Sequence, residues 1–197
     1  MPRSDDLHSL PPGVPVPLDD GACDHLPGAQ LPDLALASTA GRRVHLAMRP
    51  GRTIVYVFPR TGRPGQDPLP GWNQTPGARG CTPQSCAFRD RHAELRALGV
   101  EVFGLSVQQT AYQREAVERL DLPFELLSDA SFALIRGLGL PEIEVAGERF
   151  AQRVTLVLRA GYLEHVFYPV FPPGDNAEEV VAWLRAIQEE VRDEGPR

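Results

Sequence analysis

Short apolar runs of strand length alternate along this chain with stretches of helical periodicity, and that alternation limits the fold more than any other feature. Strands are predicted near 43–47, 53–58, 101–107 and 124–127. A hairpin should follow, 151–158 and 162–169, turned at Ala160-Gly161. Helices are predicted near 82–98, 110–121, 131–138 and 176–192. The last is the clearest, because Val180, Leu184, Ile187 and Val191 share one face while Glu178, Glu179, Glu189 and Glu190 mostly lie away from it. Asp175 or Asn176 is placed to cap its start. Helices alternating with strands, then a terminal hairpin and helix, imply an α/β domain with a central mixed β-sheet covered on both faces.

A chain of 197 residues suits one such domain with a substantial core. Residues 1–28 are rich in Pro, Gly and Asp and lack periodicity, so they read as an extended N-terminal arm wrapped on the surface of the domain formed by 29–197. The net charge of −6 argues against nucleic acid as a partner, since phosphate binding needs a basic face. All 20 basic residues are arginine, which excludes lysine chemistry such as a Schiff base. No run approaches the roughly 20 apolar residues of a membrane-spanning helix. The polar, proline-rich N-terminus also lacks an apolar signal core, so the expectation is a cytoplasmic protein with no membrane partner. Three cysteines, an odd number, fit catalysis better than a disulfide framework.

The chemistry concentrates in Gly80-Cys81-Thr82-Pro83-Gln84-Ser85-Cys86-Ala87-Phe88-Arg89-Asp90, at the end of a long loop over 60–80. Cys81 falls where a helix should begin, at backbone N–H groups without helical partners and the positive end of the macrodipole. Both favour a thiolate, the nucleophilic form of the side chain. Cys86 lies five residues on in the same helix, placed to attack an oxidised Cys81. Other readings stand beside this one. Cys81 could be an inert buried thiol and Cys86 a core cysteine near Phe88. The two could also ligate zinc with Cys23 or His92, although no second local cysteine pair follows. Cys23 itself reads as incidental or as an alternative disulfide partner. Trp72 and Phe58 shape an apolar mouth or simply pack, and His165 reads as structural. There is no glycine-rich phosphate loop, no serine–histidine–acid set and no Cys-x-x-Cys.

Cys81-Thr-x-x-x-Cys86 followed by Ala-Phe-Arg-Asp resembles the peroxidatic and resolving pair of the peroxiredoxin Q group, also called bacterioferritin comigratory proteins. The likeness runs from about Leu31 to Arg185. Leu31-Pro-Asp-Leu-Ala-Leu and Gly41-Arg-Arg-Val-His-Leu are similar to that family's opening hairpin, and Thr53-Ile-Val-Tyr-Val-Phe-Pro59 to the strand before its active site. Val102-Phe-Gly-Leu-Ser106, Leu126-Leu-Ser-Asp129 and Arg153-Val-Thr-Leu-Val157 follow in the family's order.

The resemblance implies a thioredoxin-like fold and a thiol peroxidase. Cys81 would reduce hydrogen peroxide or a small organic hydroperoxide, Cys86 would condense with the resulting sulfenic acid, and thioredoxin or a similar dithiol would reduce the disulfide. It implies no metal, haem, flavin or nicotinamide cofactor, and a monomer. Arg153 matches the arginine that reaches the peroxidatic sulfur, with Arg79 as a competitor two residues before Cys81. The chain departs from the family at Ala78 and Gln74, which stand where the family has Thr or Ser and Pro. Thr75 is the candidate for the missing hydroxyl. Two further functions fit the same residues: a one-cysteine peroxidase using an external thiol, and a redox sensor that passes oxidation to a partner.

Overall fold

The computed structural model describes residues 7–193. Nine strands and five α-helices are described: β1 (Ala35–Ser38), β2 (Arg43–His45), β3 (Arg52–Val57), α1 (Cys81–Asp90), α2 (His92–Ala97), β4 (Val100–Ser106), α3 (Thr110–Arg119), β5 (Leu126–Ser128), α4 (Ala133–Gly137), β6 (Glu142–Val145), β7 (Glu148–Ala151), β8 (Val154–Arg159), β9 (Tyr162–Phe167) and α5 (Asn176–Asp193). Seven strands form one mixed sheet in the order β2-β1-β5-β4-β3-β8-β9. β3 and β4, and β4 and β5, are parallel, and the remaining pairs are antiparallel.

β3 sits near the centre of this sheet, paired to β4 on one side and β8 on the other. Its residues alternate between two cores. Ile54, Tyr56 and the following Phe58 join one cluster with Phe88 of α1, Leu95 of α2, Ala116 of α3 and Val180 and Leu184 of α5. Val55 and Val57 face the other cluster, with Leu134 and Ile135 of α4 and with Cys23, Leu26 and Leu31. The two parallel connections, β3 to β4 through α1 and α2 and β4 to β5 through α3, step the same way across the sheet, so right-handed crossovers put those helices on one face. Burying each large β3 side chain contributes about 1.5–3 kcal/mol. Gly104 in β4 is required by close packing: a Cβ there would lie 2.5 Å from Leu126 and 2.7 Å from the Tyr56 ring.

Several expectations change in detail. The helix predicted over 82–98 is two, broken at Arg91, which leaves helical geometry and pairs with Glu94 and Glu178. A hairpin that the periodicity did not announce, β6–β7, turns at Ala146-Gly147, both at positive φ, and makes its own two-stranded sheet. Ala151, expected to open the next strand, therefore ends β7. Asn176 does not spend its side-chain oxygen on a helix cap. That oxygen accepts hydrogen bonds from Gln84 and Thr155 in the interior. The arm is less superficial than expected, because its second half contributes Cys23 and Leu26 to the core. Residues 1–6 of the arm lie outside the described residues.

Candidate active site

α1 is seated by its inward face. Phe88 stacks on Tyr56 of β3 with ring centroids 4.5 Å apart, and the Tyr56 hydroxyl donates to Ser85 Oγ at 3.2 Å. Cys81, Ser85 and Phe88 stand at helical spacing on that face, so fixing the second and third fixes where the first turn begins. Pro83 lies in the first turn, where its missing N–H costs nothing. Gly80, at the N-cap, has φ 100°, ψ 16°. An added Cβ would lie 2.2 Å from Pro173 and 3.1 Å from Leu10, so glycine is demanded by the backbone and by space.

Cys81 is 4% exposed. Its Sγ lies 3.7 Å from the Ala78 carbonyl, as a thiol donating to it would. Arg153, at the entry to β8 and 2% exposed, donates through Nη2 to Cys81 Sγ at 3.2 Å. The same nitrogen donates to the carbonyls of Gly77 at 3.2 Å and Arg79 at 3.0 Å. Nη1 donates to Gln84 Oε1, and Gln84 Nε2 donates to Asn176 Oδ1 at 3.0 Å. Thr155 Oγ1 donates to the same Asn176 oxygen at 2.6 Å. This buried polar chain ties α1, β8 and α5 together and leaves the guanidinium one orientation. Nothing in the sequence points Gln84 or Asn176 to the site, because Gln84 looks like an ordinary polar helix residue and Asn176 like a helix cap. Only their inward placement makes them part of the site.

A narrow crevice opens beside Arg153. Thr75, Arg79 and Arg153 line it together with Val170, Phe171 and Pro173 from the β9–α5 connection. Arg79 is buried, and its carbonyl is the group that meets Arg153. The Thr75 hydroxyl donates to the Gly71 carbonyl at 2.9 Å, closing the turn after a short 3-10 helix at Trp72–Gln74. Ala78 is fully buried. Trp72 packs edge-on against Phe150 of β7 with centroids 5.2 Å apart, in a cluster with Ala78 and Val145. Trp72 is thus a packing residue, and the unannounced hairpin is what anchors the loop leading to Cys81. Phe58 is wholly buried.

Cys86 lies on the same continuous helix as Cys81 and is half-buried. Burial pushes its thiol up from the ordinary cysteine value, with Arg89 opposing and Asp90 reinforcing the shift. Cys81 and Cys86 are not joined in a disulfide here. Cys23 is separate from them. It belongs to the cluster on the opposite face of the sheet from the one holding Cys81, and burial with Asp20, Asp19 and Asp24 nearby pushes its thiol up to about 12. In this arrangement it can neither pair with Cys81 nor complete a metal set with it. Among the described residues, no group of three or more His, Cys, Asp or Glu side chains is placed to hold a metal ion. His165 stacks on Trp183 with centroids 4.8 Å apart, and His92 lies against Phe124.

Residues 26–182 match the Redoxin family model. The chain is 28% identical over 161 residues to the chloroplastic peroxiredoxin Q of Oryza sativa subsp. japonica, covering 81% of this chain and 67% of that protein. Among solved structures, the peroxidoxin BcpB of Mycobacterium tuberculosis superposes with a TM-score of 0.66 at 24% identity, covering 83% of this chain and 99% of that one. Peroxiredoxin Q of Xanthomonas campestris superposes with a TM-score of 0.63 at 23% identity, covering 80% and 95%.

Proposed function

Since the chain belongs to the redoxin family, with peroxiredoxin Q-like sequence and fold, we propose that it is a thiol-dependent peroxidase with Cys81 as peroxidatic and Cys86 as resolving residue. The observation that carries the assignment is the 3.2 Å contact from Arg153 Nη2 to Cys81 Sγ at the first residue of α1. A guanidinium stays charged and donates directed hydrogen bonds, which suits both an anionic sulfur and the oxygen it attacks.

In the first step the Cys81 thiolate attacks one peroxide oxygen. The O–O bond breaks, and the leaving oxygen departs as water or alcohol after taking a proton. Arg153 and the backbone N–H groups at the start of α1 are the donors for the charge that develops there. Thr75, on the crevice wall, retains acceptor capacity on its oxygen while donating to Gly71, and we assign it the role of receiving the peroxide O–H. In the second step Cys86 displaces water from the Cys81 sulfenic acid and a disulfide forms. A dithiol such as thioredoxin then reduces it by exchange.

Hydrogen peroxide and small organic hydroperoxides are the substrates that the likeness to peroxiredoxin Q supports. The need for dithiol recycling supports the cytoplasm, where thiols are kept reduced. No helix among the described residues is long and apolar enough to cross a membrane.

Intact-mass measurement after one equivalent of peroxide tests the scheme. Loss of two hydrogens marks the disulfide. A stable gain of one oxygen would favour a one-cysteine peroxidase. A chain that stops after one equivalent with excess dithiol present would be a sensor.

A further inference from the structure

The N-terminal arm runs directly over this site. Leu10 lies against Gly80, Val14 and Pro15 form one wall of the crevice beside Arg153, and Pro17 lies near Gly77. The same strap brings His8 Nδ1 to 3.7 Å from Cys86 Sγ, within reach of an S–H···N hydrogen bond. Building on the function proposed above, we propose that His8 is the general base for the resolving thiol.

Cys86 needs a base because it is half-buried and its burial disfavours the thiolate that must attack. The other groups that face it cannot serve. Arg89 and Arg119 are cations without a lone pair to offer. Asp90 is engaged by Arg89 at 2.8 Å, and its charge opposes a neighbouring thiolate. Tyr56 is wholly buried, with its phenol raised by burial and donating to Ser85. The imidazole of His8 offers a ring-nitrogen lone pair and can both take and return a proton.

The step balances as follows. Cys86 S–H gives its proton to His8 Nδ1. The thiolate sulfur attacks the sulfur of the Cys81 sulfenic acid, the S–S bond forms, and the S–O bond breaks with its electron pair on oxygen. The departing hydroxide takes the proton back from the imidazolium and leaves as water. The oxidant is the hydroperoxide already consumed in making the sulfenic acid.

Single-turnover oxidation with one equivalent of hydrogen peroxide, quenched and read by intact mass, separates the two steps. Oxidation of Cys81 is the internal control. In His8→Ala and His8→Gln, disulfide formation should slow by about 100-fold, the low end of general-base contributions, while the sulfenic acid accumulates. Added imidazole should restore the rate in His8→Ala. Wild-type disulfide formation in His8→Ala, or slow formation that His8→Gln alone restores, overturns the assignment. Failure of Cys81 to oxidise in the wild type would instead overturn the peroxidase reading.

Discussion

Arg153 is held by Gln84: Nη1 of the arginine donates to Oε1 of the glutamine, whose own amide is anchored on Asn176. The residue that reaches Cys81 from β8 is therefore aimed by a residue one turn further along the helix that Cys81 begins. Gln84→Ala should slow the peroxide step by roughly tenfold and destabilise the fold by about 1–3 kcal/mol, because it leaves the buried Nη1 donor of Arg153 without this partner. Gln84→Glu retains the acceptor for Arg153 but loses the donor to Asn176, so it should recover stability only in part. It places a carboxylate against the guanidinium, so the peroxide step should stay slow. Thermal unfolding and the second-order rate with hydrogen peroxide check the split.

Removing the guanidinium itself should cost more. Arg153→Met is expected to slow peroxide attack by about 100-fold or more, the range for losing one preplaced donor at a developing charge. The contact of Arg79 with Arg153 is through its backbone carbonyl, which Arg79→Met retains, so that variant should cost less. Stopped-flow rates for the two variants compare them directly, and equal losses would shift the role toward Arg79.

The two cysteines should fail differently. Cys81→Ser should fold normally and consume no peroxide. Cys86→Ser should complete the first oxidation, form no intramolecular disulfide, and pass more readily to sulfinic acid under excess peroxide. Mass spectrometry of each variant across a peroxide series reads both outcomes.

Forming the Cys81–Cys86 disulfide should unwind the start of α1. Five residues of regular helix separate two Cα atoms by roughly 8–9 Å, from a rise of about 1.5 Å and a turn of about 100° per residue. A disulfide does not span more than about 7 Å without backbone movement. Both residues lie in the unbroken helix Cys81–Asp90. Amide exchange over 81–90 should therefore accelerate in the oxidised protein, and helical circular dichroism should fall. A disulfide with unchanged exchange there would contradict a shared helix.

Thr75→Val should slow the peroxide step by about tenfold, the cost of one hydrogen bond to the reacting group, and Thr75→Ser should restore it. Wild-type kinetics in Thr75→Val would show that Thr75 only closes the turn onto Gly71.

Local physics made part of this protein legible from its residues. The apolar run 53–58 and the one-sided helix 176–192 appear as β3 and α5 because hydrophobic periodicity reports which of a segment's own faces is buried. Cys81 and Cys86 could be read as a pair on one helix because both the helix start and their spacing are local. Periodicity says nothing of which distant residue a buried face meets. Arg153 was accessible only through family resemblance, being 72 residues from the sulfur it touches. Gln84 and Asn176 carried no signal of a place at the site, since a polar side chain on a helix looks the same whether it meets water or a buried partner. The β6–β7 hairpin that anchors Trp72 and the arm that lays His8 on Cys86 likewise depend on contacts between remote segments. The sequence alone determined the alternation of elements and the placement of Cys81 and Cys86 on one helix. Tertiary packing decided what surrounds that pair, because the partners of a buried polar group are chosen by the assembled sheet and helices.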